Sequence, residues 1–430
     1  LSSSSLRGRL PGTEGNLYAT EYLQSKYDSL NLISPMSLDN YLQPFSQKTL
    51  HHGDVPILHT LDNKGDVIGD YKYLTDFIIR TNWLGTSISG EVEGEIVLIS
   101  KKEDFYKKNL NRKVLLIKNN LVDEFKNTSP READGLIRYV LSLSKNIKAV
   151  IIQNDIRRNG YFHISTALTS QIRQLGYNKA LSSKIVSTSN TGPMILYCSD
   201  FAFETLYTAS KRENSVKIKA NKELIDVESA NVIGVIEGSN ESNEYIVIGA
   251  HFDHLGGYDN GPFYPGALDN ASGVAAMLEI ARIMGEMPKP EKTIVFSAFN
   301  GEEVYLAGSQ FYTQRPIFPL ASTTMINLDI VGTKGSEKLD ISGYYRQANY
   351  TQQLLRRYSS YLDIDSRISR IASSDHVHFA ASGAQSVMLT NLEESPITHT
   401  IQDSYTKSID LEILKEVIRL VVYYLLNQAY

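Results

Sequence analysis

The 430-residue chain has one cysteine, Cys198, and one tryptophan. A single cysteine excludes an internal disulfide and any zinc site built on cysteine pairs. Domains of this length do not depend on disulfides, so the scarcity alone does not assign a compartment. No apolar run reaches about 18 residues, so nothing reads as a membrane-spanning helix. Positive charge is not in excess: 43 Lys and Arg stand against 48 Asp and Glu, a net charge of −5. Nucleic acid, which needs a basic face, is not an expected partner. The chain begins at Leu1 rather than Met. A removed export signal or trimming would each explain that start, and export (secreted, periplasmic or surface-associated) is the expectation.

The chain does have ample apolar content, 42 % against 21 % charged. It can bury large cores, and its length suggests two or three domains at roughly 100–200 residues each. After the polar start "LSSSSLRGRLPG", Asn16 is placed to cap a helix with Tyr18, Tyr22, Leu23 and Tyr27 at helical spacing. From 56 to 214 short β-like runs (95–99, 113–117, 149–152) alternate with Asn- and Lys-rich connectors. His163 stands alone there and reads as an ordinary surface or core histidine. From about 215 buried strands are expected at 231–236, 245–250, 293–299 and 324–328, with helices opened by Ser272 and Asp410. The run 417–426, apolar nearly all round, predicts a buried helix. Strands alternating with helices predict an α/β fold, a mixed sheet sandwiched between helices.

The ends of these strands carry the chemistry. His251, Asp253 and His254 follow one strand, Glu302 and Glu303 a second, and Asp329 a third. In open α/β sheets ligands bind beyond the carboxyl ends of the strands. Asp269 in "GALDNASG" and His399 in "PITHTIQD" add to the set, and five of the nine histidines fall between 251 and 399. Singly, each of these residues reads as a solvated loop residue or a cap. Jointly they would crowd carboxylates on one edge, a costly arrangement unless a cation is present. His, Asp and Glu without Cys suit zinc, manganese or cobalt. A catalytic zinc takes three protein ligands. Five residues, His251, Asp269, Glu303, Asp329 and His399, serve two metals if one carboxylate bridges. Two divalent cations, three carboxylates and a bridging hydroxide make a neutral centre.

The ordered set "IGAHFDHLG", "PGALDNASGVAAMLEIAR", "FSAFNGEE", "INLDIVG", "SSDHVHFAASG" and "THTIQDS" resembles the two-zinc aminopeptidase family of bacterial leucyl aminopeptidase and aminopeptidase Y. The start "RLPGTEGN" also looks like that family's catalytic domain, and 56–214 looks like its inserted, β-rich protease-associated domain. The division implied is 1–55 and 215–430 for the catalytic metallopeptidase domain, with 56–214 inserted. The resemblance implies that Asp269 bridges two divalent ions, Zn2+ by family. His251 and Asp329 complete one site, Glu303 and His399 the other. It implies Glu302 as general base, Asp253 as acceptor of the second ring N–H of His251, and a cis peptide at Asp269–Asn270. The implied activity is hydrolysis of the N-terminal residue from peptides with a free N-terminus.

Alternatives within the fold are a carboxypeptidase or dipeptidase and a glutaminyl cyclase-like acyltransferase. A metal-free binding protein is the alternative from another class. Leu268, Tyr305, His378 and Thr398 depart from common family residues near the pocket walls, and Asp375 is a further candidate beside the substrate. With 376–378 read as a strand, His376 and His378 are an alternative ligand pair, and His399 is the preferred ligand. Loops 251–273, 299–309 and 395–405 hold no Arg or Lys. A substrate carboxylate typically needs a cationic receiver, so the loops favour recognition of an amine. Arg346, Arg367 and Arg370 keep the carboxypeptidase reading open.

Overall fold

The structure is a computed structural model that describes residues 1–80, 86–125, 134–143, 145–154, 192–239, 243–343, 348–370, 374–391 and 397–430. Two compact units divide the chain: Leu1–Thr49, Asp226–Gly257 and Phe263–Tyr430 form one, and Leu50–Ile225 with Tyr258–Pro262 form the other. The first holds all the candidate site residues.

Its eight-stranded sheet runs, in spatial order, Leu42–His51, Glu223–Ile236, Thr293–Phe299, Tyr245–His251, Thr323–Leu328, Gln385–Thr390, Leu339–Ser342 and Ser366–Ser369. Four neighbouring strands are parallel, from Thr293–Phe299 to Gln385–Thr390. The sheet is mixed because Glu223–Ile236 pairs antiparallel with Thr293–Phe299, and Leu339–Ser342 pairs antiparallel with Gln385–Thr390 but parallel with Ser366–Ser369. Side chains alternate across a strand, so each apolar run feeds two cores. Ile246, Ile248, Ile294 and Phe296 pack with helices Glu14–Ser29, Ser272–Gly285, Asn349–Tyr361 and Leu411–Gln428. Val247, Val295 and Phe299 pack on the opposite face with Tyr312 and Phe379, from helices Ala307–Gln314 and His376–Ala381. Burial on both faces is why these strands read as continuous apolar runs rather than alternating ones.

Several local expectations change. Thr13, not Asn16, caps the first helix, accepting from the Asn16 N–H at 3.4 Å. Asn16 lies inside that helix and pairs its amide with that of Asn300 through two hydrogen bonds of 3.0 and 2.9 Å. Ser272 is likewise no cap: its hydroxyl donates to Leu268 O and accepts from Val331 N–H. Asp410 does cap the last helix, accepting from Glu412 and Ile413. That helix buries Leu414, Val417, Leu420, Val421, Tyr424 and Leu425 but leaves Leu426 exposed, so it is one-sided rather than wholly buried. Residues 376–381 form a helix, not a strand.

The second unit also has an eight-stranded sheet, in the order Val67–Tyr71, Ile57–Leu61, Ser215–Ala220, Gly90–Ile99, Val114–Ile117, Ala149–Gln153, Met194–Cys198 and Phe77–Arg80. Ser215–Ala220 pairs with both Ile57–Leu61 and Gly90–Ile99, so this unit extends past residue 214. It is not purely β-rich: parallel strands around Val114–Ile117 combine with helices such as Asp134–Ser142 and Asp200–Ser210. His163 and Arg346 lie outside the described residues. Among the described residues no helix is long and apolar enough to cross a membrane.

Candidate metal centre

The parallel register aligns the strand ends. His251 pairs with Phe299, so the segments that follow, 252–254 and 300–303, leave the sheet at the same level. Leu328 pairs with Leu389 and delivers Asp329 next to them. Asp269 arrives from a single turn, Ala267–Ala271, whose Asp269–Asn270 peptide is cis, as the resemblance implied. Two buried side chains and a glycine fix that turn. Asp403 accepts from the N–H groups of Leu268 and Asp269 at 2.9 and 3.1 Å. Asn270 donates to Leu328 O at 2.8 Å and accepts from Ile330 N–H at 3.3 Å, which ties the turn to the segment bearing Asp329. Gly266 enters the turn at φ +58, and a Cβ there would come within 2.5 Å of Asp269 O and His254 Cδ2. Only glycine fits both the dihedral and the approach.

All five proposed ligands converge. Asp269 divides its carboxylate: Oδ1 is 3.2 Å from His251 Nε2, and Oδ2 is 2.8 Å from His399 Nε2. On one side Asp329 Oδ1 is 3.3 Å from the same His251 nitrogen. On the other Glu303 Oε2 is 3.1 Å from the same His399 nitrogen. His251, Asp269 and Asp329 have ligand atoms mutually within 4.8 Å, as do His254, Asp269 and Glu303. His254, named at the strand end but given no role by the resemblance, also joins the site. Its Nδ1 is 2.7 Å from Glu303 Oε1, the oxygen turned away from His399. We therefore read His399, which faces oxygens of both Asp269 and Glu303, as the ligand, and His254 as the partner that orients Glu303.

Asp253 faces the second ring nitrogen of His251 and also holds the double glutamate. His251 Nδ1 is 3.3 Å from the main-chain oxygen of Asp253 and 3.6 Å from its carboxylate. The carboxylate also accepts from the N–H groups of Glu302 and Glu303 at 3.0 and 3.3 Å. Asp253 thus clamps the double glutamate to the His251 segment. The two glutamates diverge: the side chain of Glu303 is 2 % exposed and that of Glu302 is 11 % exposed. Glu302 Oε2 reaches to 4.0 Å from His251 Nε2.

The residues fit divalent cations. Among the described residues, buried His251 Nε2 and Asp329 Oδ1 have no hydrogen-bond partner, although they face each other. Orphaned groups of this kind in a wholly buried cluster are expensive unless something links them. The protein groups alone balance charge with protons. Burial works against charging His251 and His399, yet Asp329 and Glu302 around the first, and Glu303 and Asp269 around the second, raise both well above the ordinary imidazole range. Burial also opposes ionisation of Glu303, but His399 and His254 hold it down to about 2. Burial, reinforced by Asp329, Glu303 and Asp375, drives Glu302 well above the usual carboxylate range despite His251. Asp375, buried and pushed up to about 7 by burial despite His251, lies near the same acids. The signals for these added residues were in the sequence: His254 in "HFDH", and Asp403 four positions after His399.

Residues 231–425 match the family model described as "Peptidase family M28". The chain is 35 % identical over 208 residues to aminopeptidase YwaD of Bacillus subtilis, covering 45 % of this chain and 43 % of that one. It is 40 % identical over 119 residues to a probable zinc metalloprotease of Pyrenophora tritici-repentis, covering 26 % and 27 %. These alignments span less than half the length of each curated relative. Among solved structures, BSAP, a zinc aminopeptidase from Bacillus subtilis, superposes with a TM-score of 0.65 at 21 % identity, covering all of this chain and 93 % of that one. An aminopeptidase from an Aneurinibacillus species gives 0.62 at 21 %, covering 98 % and 90 %. At that identity the likeness is one of fold.

Proposed function

We propose, on the match of residues 231–425 to the model of peptidase family M28, that this protein is a metal-dependent aminopeptidase. It releases the N-terminal residue of peptides at a centre of two divalent ions, Zn2+ by its likeness to a probable zinc metalloprotease. The observation that carries the reading is the divided carboxylate of Asp269, each oxygen facing a different histidine. His251 and Asp329 would hold one ion, Glu303 and His399 the other, and Asp269 both. When bound, the pair acidifies a water and polarises the scissile carbonyl.

The chain supplies the rest. Glu302 takes a proton at Oε2 and returns it to the leaving amine. Burial and the surrounding acids hold Glu302 above the usual carboxylate range. Asp253 holds Glu302 and Glu303 through their main-chain N–H groups, so that Glu303 would serve the ions and Glu302 the water. An α-amine, with a reference pKa of about 7.7–8.0, deprotonates at modest cost and can bind a cation. A substrate carboxylate has no evident receiver in the described loops. Arg367, one candidate, is forked onto Asp340 at 2.8 and 3.1 Å.

One peptide in three forms tests the substrate end. The free peptide should be cleaved, N-acetylation should abolish cleavage, and C-amidation should be tolerated. The reverse pattern would establish a carboxypeptidase.

A further inference from the structure

Arg9 lies in the N-terminal segment, far in sequence from every ligand, yet it is wholly buried beside them. Its guanidinium donates only to main-chain oxygens in the bonds the structure displays. Nε reaches Phe252 O at 2.6 Å, Nη1 reaches Pro265 O at 2.9 Å and Leu1 O at 2.8 Å, and Nη2 reaches Gly266 O at 3.1 Å. Its own carbonyl accepts from His254 N–H at 3.4 Å and from Asn16 Nδ2 at 2.9 Å. Phe252 separates His251 from Asp253. Pro265 and Gly266 lead into the turn that carries Asp269. One planar fork therefore joins the two segments that supply His251, Asp253 and the bridging Asp269.

Charge supports the same role. Burial lowers the guanidinium pKa, while Asp253, Asp269, Asp403 and Glu303 oppose the loss, leaving it at about 10. Arg9 is thus a fixed cation at neutral pH, among acids that would otherwise repel one another.

We propose that Arg9 is a positioning residue of the metal centre, holding the His251–Asp253 and Gly266–Asp269 segments at the spacing that two divalent cations require. The proposal rests on the two-ion reading above. Lysine cannot substitute: it keeps the charge but replaces a rigid fork of five donors with one rotating ammonium. Loss of partners that orient ligands costs about 10–100-fold in metal affinity. If Arg9 were only a structural stitch, its loss would lower stability and leave metal affinity alone.

The test is a Zn2+ titration of metal-free wild type, Arg9→Lys and Arg9→Gln against a competing chelator, with circular dichroism to follow folding. Both variants should bind Zn2+ about 10–100-fold more weakly than wild type. Equal affinity in folded Arg9→Lys would overturn the proposal, whatever its thermal stability. A variant that folds only with Zn2+ present supports the proposal, because the ions then do the work of the fork. A variant that stays unfolded at saturating Zn2+ overturns it, since Arg9 would then serve folding alone. Wild type that binds no Zn2+ would instead remove the two-ion reading on which the proposal stands.

Discussion

At the residue scale, two neighbouring carboxylates do different work. Glu303 is sealed between His254 and His399, while Glu302 opens beside His251 and is held protonatable by burial and by the surrounding acids. Glu302→Gln keeps size and hydrogen bonding but cannot accept a proton. It should retain both ions while kcat falls by about 10²–10⁴-fold. Glu303→Ala should lose metal instead. Metal analysis alongside steady-state kinetics separates the two, and metal loss in Glu302→Gln would mean the roles are exchanged. His378, outside the ligand set, offers a pH signature. Burial pushes its imidazole from 6.5 down to about 4. The unfolded chain therefore takes up a proton between those values that the folded chain refuses. Stability should be unaffected by this group above about pH 6.5 and should fall as pH drops toward 4. His378→Leu should flatten that part of a urea-denaturation pH series; an unchanged slope would exclude His378 as its source.

At the element scale, the site is a product of level strand ends and one tightly held turn. Gly266→Ala would force a Cβ against Asp269 O and His254 at positive φ. We expect a loss of about 1–3 kcal/mol by urea denaturation, and unaltered stability would mean that the turn readily yields. The strands were legible in sequence because burial on both faces writes them as unbroken apolar runs. Tyr245–His251 and Thr293–Phe299 begin where those runs begin. The helix starts were less legible. Asn16 and Ser272 have capping chemistry, but tertiary partners claim their side chains. The stretch 376–381 is too short for periodicity to separate helix from strand. A strand would turn His376 and His378 to one face, whereas on the helix they face apart, which favours His399 as the ligand.

At the scale of the whole molecule, the proposed ligand set was legible because His251, Glu303 and Asp329 stand at or just after the ends of strands of one sheet, while Asp269 and His399 lie in acidic and imidazole-bearing motifs outside the strands. What lay outside that pattern was hidden by distance along the chain. Arg9 binds Phe252 and Gly266 across separations of 243 and 257 residues, and nothing near Arg9 in sequence announces such partners. Asp403 holds Asp269 across a separation of 134 residues. The second unit, whose last strand Ser215–Ala220 belongs to its own sheet, carries no residue of the proposed centre among those described. The most direct test of the account is therefore a titration of metal-stripped full-length chain with Zn2+, followed by release of the N-terminal residue from a peptide. The account predicts no activity in the stripped protein, and its return as two equivalents bind. Full activity without metal, or saturation of both binding and activity at one equivalent, would contradict it.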